Sequence, residues 1–352
     1  MENRIHGRSL RKNNILRILA VGLFVLLAGR CSPVGAESFS EYYRYSNRMA
    51  FLENGNIVFE RRNQLASSLM CTNEDGEIIW EVEIPWSEYG GTALGQAGDH
   101  IVYAYRSTDD QLVLVFYSLD GDVLSTQTAP QRSRNVFLLD DQVCFVSENS
   151  IRFCNEKGML EPALWADQGK DFSLYKAVGC NNIHVFCVSE NQDVVLLATD
   201  QDQKELWTYC MENVDVFSVY NLSLAVSPEG CVAAAYFKGQ SDNELRMTVF
   251  NHSGQRMWEK DIVFPEMENC RISQIRMNAD GTVKLWGSYR ISSQTDYSWR
   301  MTIDYAGEMI EKAVYPKWVD VVFYTDNEPY GVIEPLDTCI LSREEDIDWI
   351  IQ

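Results

Sequence analysis

One short phrase returns along this chain: Asn-Glu-Asp-Gly-Glu-Ile-Ile-Trp at 73–80, Gln-Asp-Gln-Lys-Glu-Leu-Trp at 201–207 and His-Ser-Gly-Gln-Arg-Met-Trp at 252–258. Each is a tight polar turn followed by a short strand, with Trp four residues after the last turn residue. A weaker echo, Glu-Glu-Asp-Ile-Asp-Trp, ends at Trp349. A phrase that recurs at about 45 residues means one supersecondary unit copied many times. Such a unit cannot bury its apolar face alone, so the copies must stack on one another.

The rest of the chain fills in the unit. Apolar residues alternate in short runs between polar turns, the pattern of many short strands. The runs group in fours, named A to D here. A–B turns are expected at Asn54-Gly55, Gly98-Asp99, Asp140-Asp141, Asn181-Asn182, Glu229-Gly230, Asp280-Gly281 and Asn327-Glu328, as two-residue hairpins built from residues that tolerate positive φ. C–D turns are expected at Asp75-Gly76, Asp120-Gly121, Lys157-Gly158, Asp202-Gln203, Ser253-Gly254, Ala306-Gly307 and Glu345-Asp346. The two series interleave, which predicts an all-β fold of seven four-stranded antiparallel blades, a β-propeller. Trp80, Trp207, Trp258 and Trp349 then mark strand D, where a large side chain packs between adjacent blades and its indole N–H finds a neighbour. Ser125 and Glu311 stand at the equivalent position in units two and six.

The turn, strand and Trp of Asp75-Gly76-Glu77-Ile78-Ile79-Trp80 resemble the PQQ-like repeat of bacterial propellers, and Ser227-Pro228-Glu229-Gly230 resembles the turns of WD-repeat propellers. The resemblance runs from about residue 42 to the end. It implies an exported propeller of a family that includes quinoprotein dehydrogenases, lipoprotein scaffolds of envelope assembly and many exported proteins with no assigned activity. The enzymes of that family are larger and use an adjacent Cys-Cys pair and a calcium site. This chain has no adjacent cysteines, so the resemblance argues against quinone chemistry and no cofactor is expected.

Residues 1–36 read as a secretory signal. Arg4, Arg8, Arg11, Lys12 and Arg17 form a basic region, Ile18 to Gly29 is an apolar stretch of 12 residues, and Val34-Gly35-Ala36 offers a cleavage site after Ala36. Residues 37–352 are then one propeller domain. Membrane association is expected only through an uncleaved anchor, or a lipid on Cys31, where Arg30 replaces the usual small residue. The whole chain carries −21 and residues 1–36 carry +5, which leaves −26 on the remainder. So acidic a surface repels phosphate backbones, and nucleic acid is excluded as a partner.

Nine cysteines follow residue 36, all singly spaced. No zinc or thioredoxin-type motif is present. Cys144 and Cys154 are expected to face each other across a hairpin. His100, His184 and His252 fall in three different units, and no hydrolase, metalloprotease or phosphate-loop motif occurs. Asp200, Asp202 and Glu205 lack the length and glycine of a calcium loop. No catalytic residue and no metal site are therefore assigned.

Function on rigid scaffolds sits in loops. The A–B and C–D turns share one face and are short and uniform. The D–A and B–C connections share the other face and are varied, with Trp86 and Tyr89, Arg132 and Arg134, Trp165, Phe264, and Tyr315 with Trp318. The segment Arg290 to Asp296 is expected to be the longest B–C loop. Aromatic residues beside Arg are the types that make binding hot spots. Trp86, Tyr89, Arg132, Arg134 and Trp318 are the candidate binding residues, for a protein or glycan of the cell envelope. The alternative is a hydrolase or lyase, lactonase-like or glycan-active, at the mouth of the central channel, for which Asp171, Glu266 and Glu268 are the available carboxylates.

Overall fold

The computed structural model describes residues 49–351 except 63–66, 74–76, 86–90, 130–135, 140–141, 148–149, 155–164, 167–171, 191–192, 213, 215–218, 220, 239–242, 266, 293–294, 316–318, 323–329, 334–339 and 344–349. The export-signal reading of residues 1–36 lies outside these residues, as does Trp349.

The fold is all-β and its sheets follow one another along the chain. Sheet one spans 49–84, sheet two 91–128, sheet three 136–166, sheet four 172–211, sheet five 223–263 and sheet six 268–315. Each carries four antiparallel strands in sequence order, A to D. Sheet seven, 319–343, carries three. The A strands of successive sheets lie against each other, so A is the inner strand and D the outer edge. The apolar clusters lie between sheets: Val58 with Tyr103 and Val115, Phe116 with Phe145, Phe153 with Phe186, Leu196 with Ala234 and Phe250, Phe237 with Trp299. A core made of sheet-to-sheet contacts is the propeller arrangement.

Among the described residues six sheets have all four strands of the unit and the seventh has three. The last strand, Ile350–Ile351, does not complete sheet seven. It pairs Ile350 with Val314 and Ile351 with Ala313, as a fifth strand on the outer edge of sheet six.

Turn chemistry follows the sequence closely. Asn181 and Asn182 both take positive φ, a two-residue turn between Cys180 and Ile183. Gly98-Asp99 does the same work between Ala97 and His100. Most other turns are one residue longer than expected. In Leu52–Asn56, Ser227–Cys231 and Asn278–Thr282 the glycine N–H donates to the first residue's carbonyl, and that residue's own N–H donates to the fifth. The C–D turns use the same formula, with a side-chain brace added. Asn251 Oδ1 accepts from Ser253 N–H and Gln255 N–H, and Asp304 Oδ1 accepts from Ala306 N–H and Glu308 N–H. Such Asx turns offer the backbone a local partner and stop a strand.

A feature more regular than the Trp repeat lies just beyond each turn. In sheets one, two, four, five and six the C–D ladder skips one residue of strand D: Ile79, Leu124, Leu206, Met257 and Ile310. These β-bulges recur even where Ser125 or Glu311 replaces the Trp. Each skipped side chain is a large aliphatic and is exposed. A bulge breaks the regular hydrogen-bonding row of an edge strand and blunts its pairing with other chains.

Three other local expectations are corrected. Cys144 pairs with Phe153, and Cys154 with Val143. Alternate residues of a strand point to opposite faces, so the two thiols lie in different apolar clusters and cannot bridge. Trp165 belongs to strand D of sheet three, opposite Ile151, rather than to a loop. Arg290 to Asp296 is not a long loop: strands Val283–Ser292 and Thr295–Ile303 extend the hairpin until Ser292 faces Thr295.

Candidate functional surface

Trp86, Tyr89, Arg132, Arg134 and Trp318 all lie outside the described residues, as do Asp171 and Glu266. Phe264 is described and is fully buried, not exposed. Its ring packs against Phe237 and Trp299, and the Lys312 ammonium lies over it at 4.8 Å. This aromatic closes the join between sheets five and six.

The best-defined polar group on the varied face belongs to sheet five. Strand register aligns Tyr236, Arg246 and Asp261 in one row across strands B, C and D. Arg246 donates from Nε to Asp261 Oδ1 at 2.8 Å and from an Nη to Oδ2 at 2.9 Å. Lys238 donates to the same Asp261 Oδ2 at 2.8 Å and also to Glu244. The two-bond Arg246 contact holds the Asp261 carboxyl down at about 2, and the bonds to Asp261 hold the guanidinium above its usual range. Lys238 is raised in the same way by Asp261 and Glu244. Tyr236, one step inward, is buried, and desolvation pushes its phenol up.

One row further along, Thr248 donates to Glu259 at 3.1 Å, and Arg256 lies 3.6 Å from the same carboxylate. Tyr209, Met211 and Glu212 at the end of sheet four complete a cleft of about 50 Å³ over these residues. That is room for a few waters and far below the size of a small-molecule site. Asp261 already accepts from two cations, so the row has little left to offer a ligand. Its chemistry is that of a seal on the outer margin of the join between sheets four and five. Nothing in sequence order links 236, 246 and 261; the row follows only from the hairpin registers.

Toward the axis, Lys176 stands on strand A of sheet four, Phe172–Cys180. Burial lowers its pKa, and no ion pair or hydrogen bond engages it among the described residues. His184 is buried against Phe153 and Phe186, and lies in a different sheet from His100 and His252. Among the described residues no three His, Cys, Asp or Glu side chains come together as metal ligands.

The A–B and the C–D turns are each tied from sheet to sheet. Trp80 donates its indole N–H to Leu119 O at 2.8 Å, in the next sheet's C–D turn, and Trp258 donates to Tyr305 O at 2.8 Å in the same way. Asn181 donates to Pro228 O at 3.0 Å between A–B turns, and Glu53 N–H donates to Gln96 Oε1 at 2.9 Å.

No family model matches the chain, and no curated protein matches it by sequence. Solved structures do. BamB from Moraxella catarrhalis is similar at 12% identity and TM-score 0.50, over 84% of each chain. A functionally unknown protein from Desulfotomaculum acetoxidans is similar at 16% identity and TM-score 0.50, over 77% of this chain and 86% of that one. A europium-containing methanol dehydrogenase also matches, at 9% identity and TM-score 0.47, over 88% of this chain and 80% of that one. At these identities the likeness is one of fold, the β-propeller.

Proposed function

We propose that this chain is a non-catalytic, exported β-propeller of seven blades whose varied face binds a protein or glycan of the cell envelope. The observation that carries the reading is the contrast between the two faces. On one face A–B and C–D turns repeat a single short formula, braced within the turn and tied to the next sheet. On the other, the D–A connections run from three residues between Tyr315 and Val319 to eleven between Met211 and Ser223. A scaffold conserves its joints and varies its binding loops. Trp86, Tyr89, Arg132, Arg134 and Trp318 all fall in those connections and are the binding residues of this reading. Export follows from the charge, apolar stretch and small-residue order of residues 1–36.

The test is co-purification from envelope extracts with the chain as bait, against the Trp86→Ala/Trp318→Ala double variant. Loss of the captured partner with an unchanged melting temperature supports the reading. Equal capture by both proteins rejects these residues as the binding surface, and loss of folding in the variant makes them joints instead.

A further inference from the structure

The outer strand of sheet two, Val123–Thr128, pairs with Leu112–Ser118 on one side and with no strand on the other among the described residues. Such an edge presents a row of N–H and C=O groups that will take another strand. The D strands of sheets one, four, five and six carry charges that discourage this, among them Glu81, Glu205, Lys260 and Lys312. The run Val123-Leu124-Ser125-Thr126-Gln127-Thr128 carries none. Sheet six shows that a D edge of this fold accepts a strand. There Ile350–Ile351 adds at Ala313 and Val314, just beyond the bulge at Ile310. The matching stretch of sheet two, beyond the bulge at Leu124, is Ser125 to Thr128.

We propose that this edge pairs antiparallel with the same edge of a second copy of the chain, about a two-fold axis at Gln127. One bond fixes which backbone groups are on offer. Ala129 N–H donates to Leu112 O. Opposite residues of an antiparallel ladder alternate between exchanging bonds and not, so Ser125 and Gln127, opposite Phe116 and Leu114, turn their backbone groups inward. Thr126 and Thr128 turn theirs outward, and both residues are exposed. With the axis at Gln127, each Thr126 exchanges both backbone bonds with the other copy's Thr128, and the two Gln127 residues face each other. An axis at Thr126 would bring the bulged Leu124 into the ladder, and one at Thr128 would leave only that residue of the strand to pair. A two-fold axis sets a strand against itself, so any charge on it meets its own like. In a chain of net charge −21, the uncharged edge is the one a second copy can approach. So short an edge buries less than the roughly 1,600 Å² of a standard interface, which makes the dimer weak. Salt strengthens it by screening the repulsion between two acidic bodies.

Sedimentation of the full chain from about 1 to about 100 µM tests this, with the mass expected to rise toward twice the monomer's and to rise further at high salt. Thr126→Pro removes an outward N–H and leaves the ladder to strand C whole, so it stays monomeric at every concentration with an unchanged melting temperature. If that variant unfolds, Gln127→Lys decides, because it sets two like charges opposite each other without touching the backbone. The register has its own test. Residues directly opposite in a pair that exchanges no backbone bonds have Cα atoms about 4.5 Å apart, within disulfide range. Gln127→Cys is therefore expected to form a 127–127 bridge under mild oxidation, read by peptide mass spectrometry, and Thr126→Cys to form at least about ten-fold less of its own. A chain that stays monomeric throughout overturns the proposal. A dimer that survives Gln127→Lys, or a bridge formed equally well at 126, overturns it in favour of another surface or another register.

Discussion

The indole of Trp207 lies across Gly254 of the next sheet so closely that a Cβ built on that glycine would fall 2.6 Å from the ring. The same relation joins Trp80 to Gly121 at 2.7 Å and Trp258 to Gly307 at 2.9 Å. Each glycine takes φ near +80°: +78° at Gly254, +88° at Gly121 and +81° at Gly307. Position 254 is therefore constrained twice, by its backbone conformation and by the ring above it. Gly55 offers a control, with φ +84° and open space where its Cβ would be. Gly55→Ala is expected to destabilise by about 1 kcal/mol, the cost of a left-handed residue that is not glycine. Gly254→Ala and Gly307→Ala add the displacement of a tryptophan, for a total of about 2–4 kcal/mol. Urea denaturation of the three variants measures the difference.

The Trp residues differ in how their N–H groups are used. Trp258 donates to Tyr305 O, whereas the buried Nε1 of Trp207 has no partner among the described residues. Trp207 instead stacks on Phe250 at 5.8 Å. Phe keeps the aromatic body and removes the donor. Trp258→Phe leaves the Tyr305 carbonyl without its partner and costs about 1 kcal/mol beyond the lost ring area. Trp207→Phe removes a donor that is already unsatisfied, so its loss is smaller by about that amount. Thermal melts of the two variants rank them.

These joints explain what was legible in the sequence. Turn position and strand order could be read because Asn251-His252-Ser253-Gly254 and its copies act locally, through side-chain braces within five residues. The Tyr236–Arg246–Asp261 row could not be read directly, because it exists only once two hairpin registers are fixed. The bulges at Ile79, Leu124, Leu206, Met257 and Ile310 hid in plain sight, since an exposed aliphatic beside a Trp reads as ordinary strand alternation. The end of the chain misled, because Ile350 and Ile351 suit any sheet edge and the sequence does not say which. The candidate residues Trp86, Tyr89, Arg132, Arg134 and Trp318 lie outside the described residues and stand as proposals.

Acid should act on sheet five through Asp261. Its folded pKa is about 2, below the usual carboxylate value of 3.8. A carboxyl depressed in the folded state contributes stability above its unfolded pKa, and that contribution is lost as pH falls from about 4 through about 2. The side chain is 35% exposed, so solvent screening keeps the effect small. Asp261→Asn removes the titration. The gap in melting temperature between wild type and variant is expected to be constant from pH 7 to pH 5 and to close as pH approaches 2. A gap that persists undiminished at pH 2 would place the contribution elsewhere.

Thiol chemistry should single out one residue. Burial pushes Cys71 up to about 11 and Cys187 to about 12, and Cys144 higher still. The thiolate is the reactive form, so these cysteines are inert at neutral pH as long as the sheets stay packed. Cys210 on strand D of sheet four is exposed. Brief alkylation of the native protein, read by peptide mass spectrometry, is expected to modify Cys210 among the described cysteines and to spare Cys71, Cys144 and Cys187. Unfolding in urea removes the distinction.

Lys176 gives the clearest case of a group held against its own preference. Its ammonium sits on an inner strand with its pKa lowered by desolvation and no ion pair among the described residues to offset it. A lysine whose folded pKa is depressed weakens the folded state by a penalty that is full below the folded pKa, fades as pH rises through it and is gone above the unfolded pKa. Methionine has nearly the same length and no charge. Lys176→Met is therefore expected to raise the melting temperature at pH 7, with a gain that shrinks near pH 10.5. A variant that melts lower than wild type at pH 7 would show that water in the channel already solvates the ammonium. The contribution of Lys176 would then be its aliphatic stem packed along the strand.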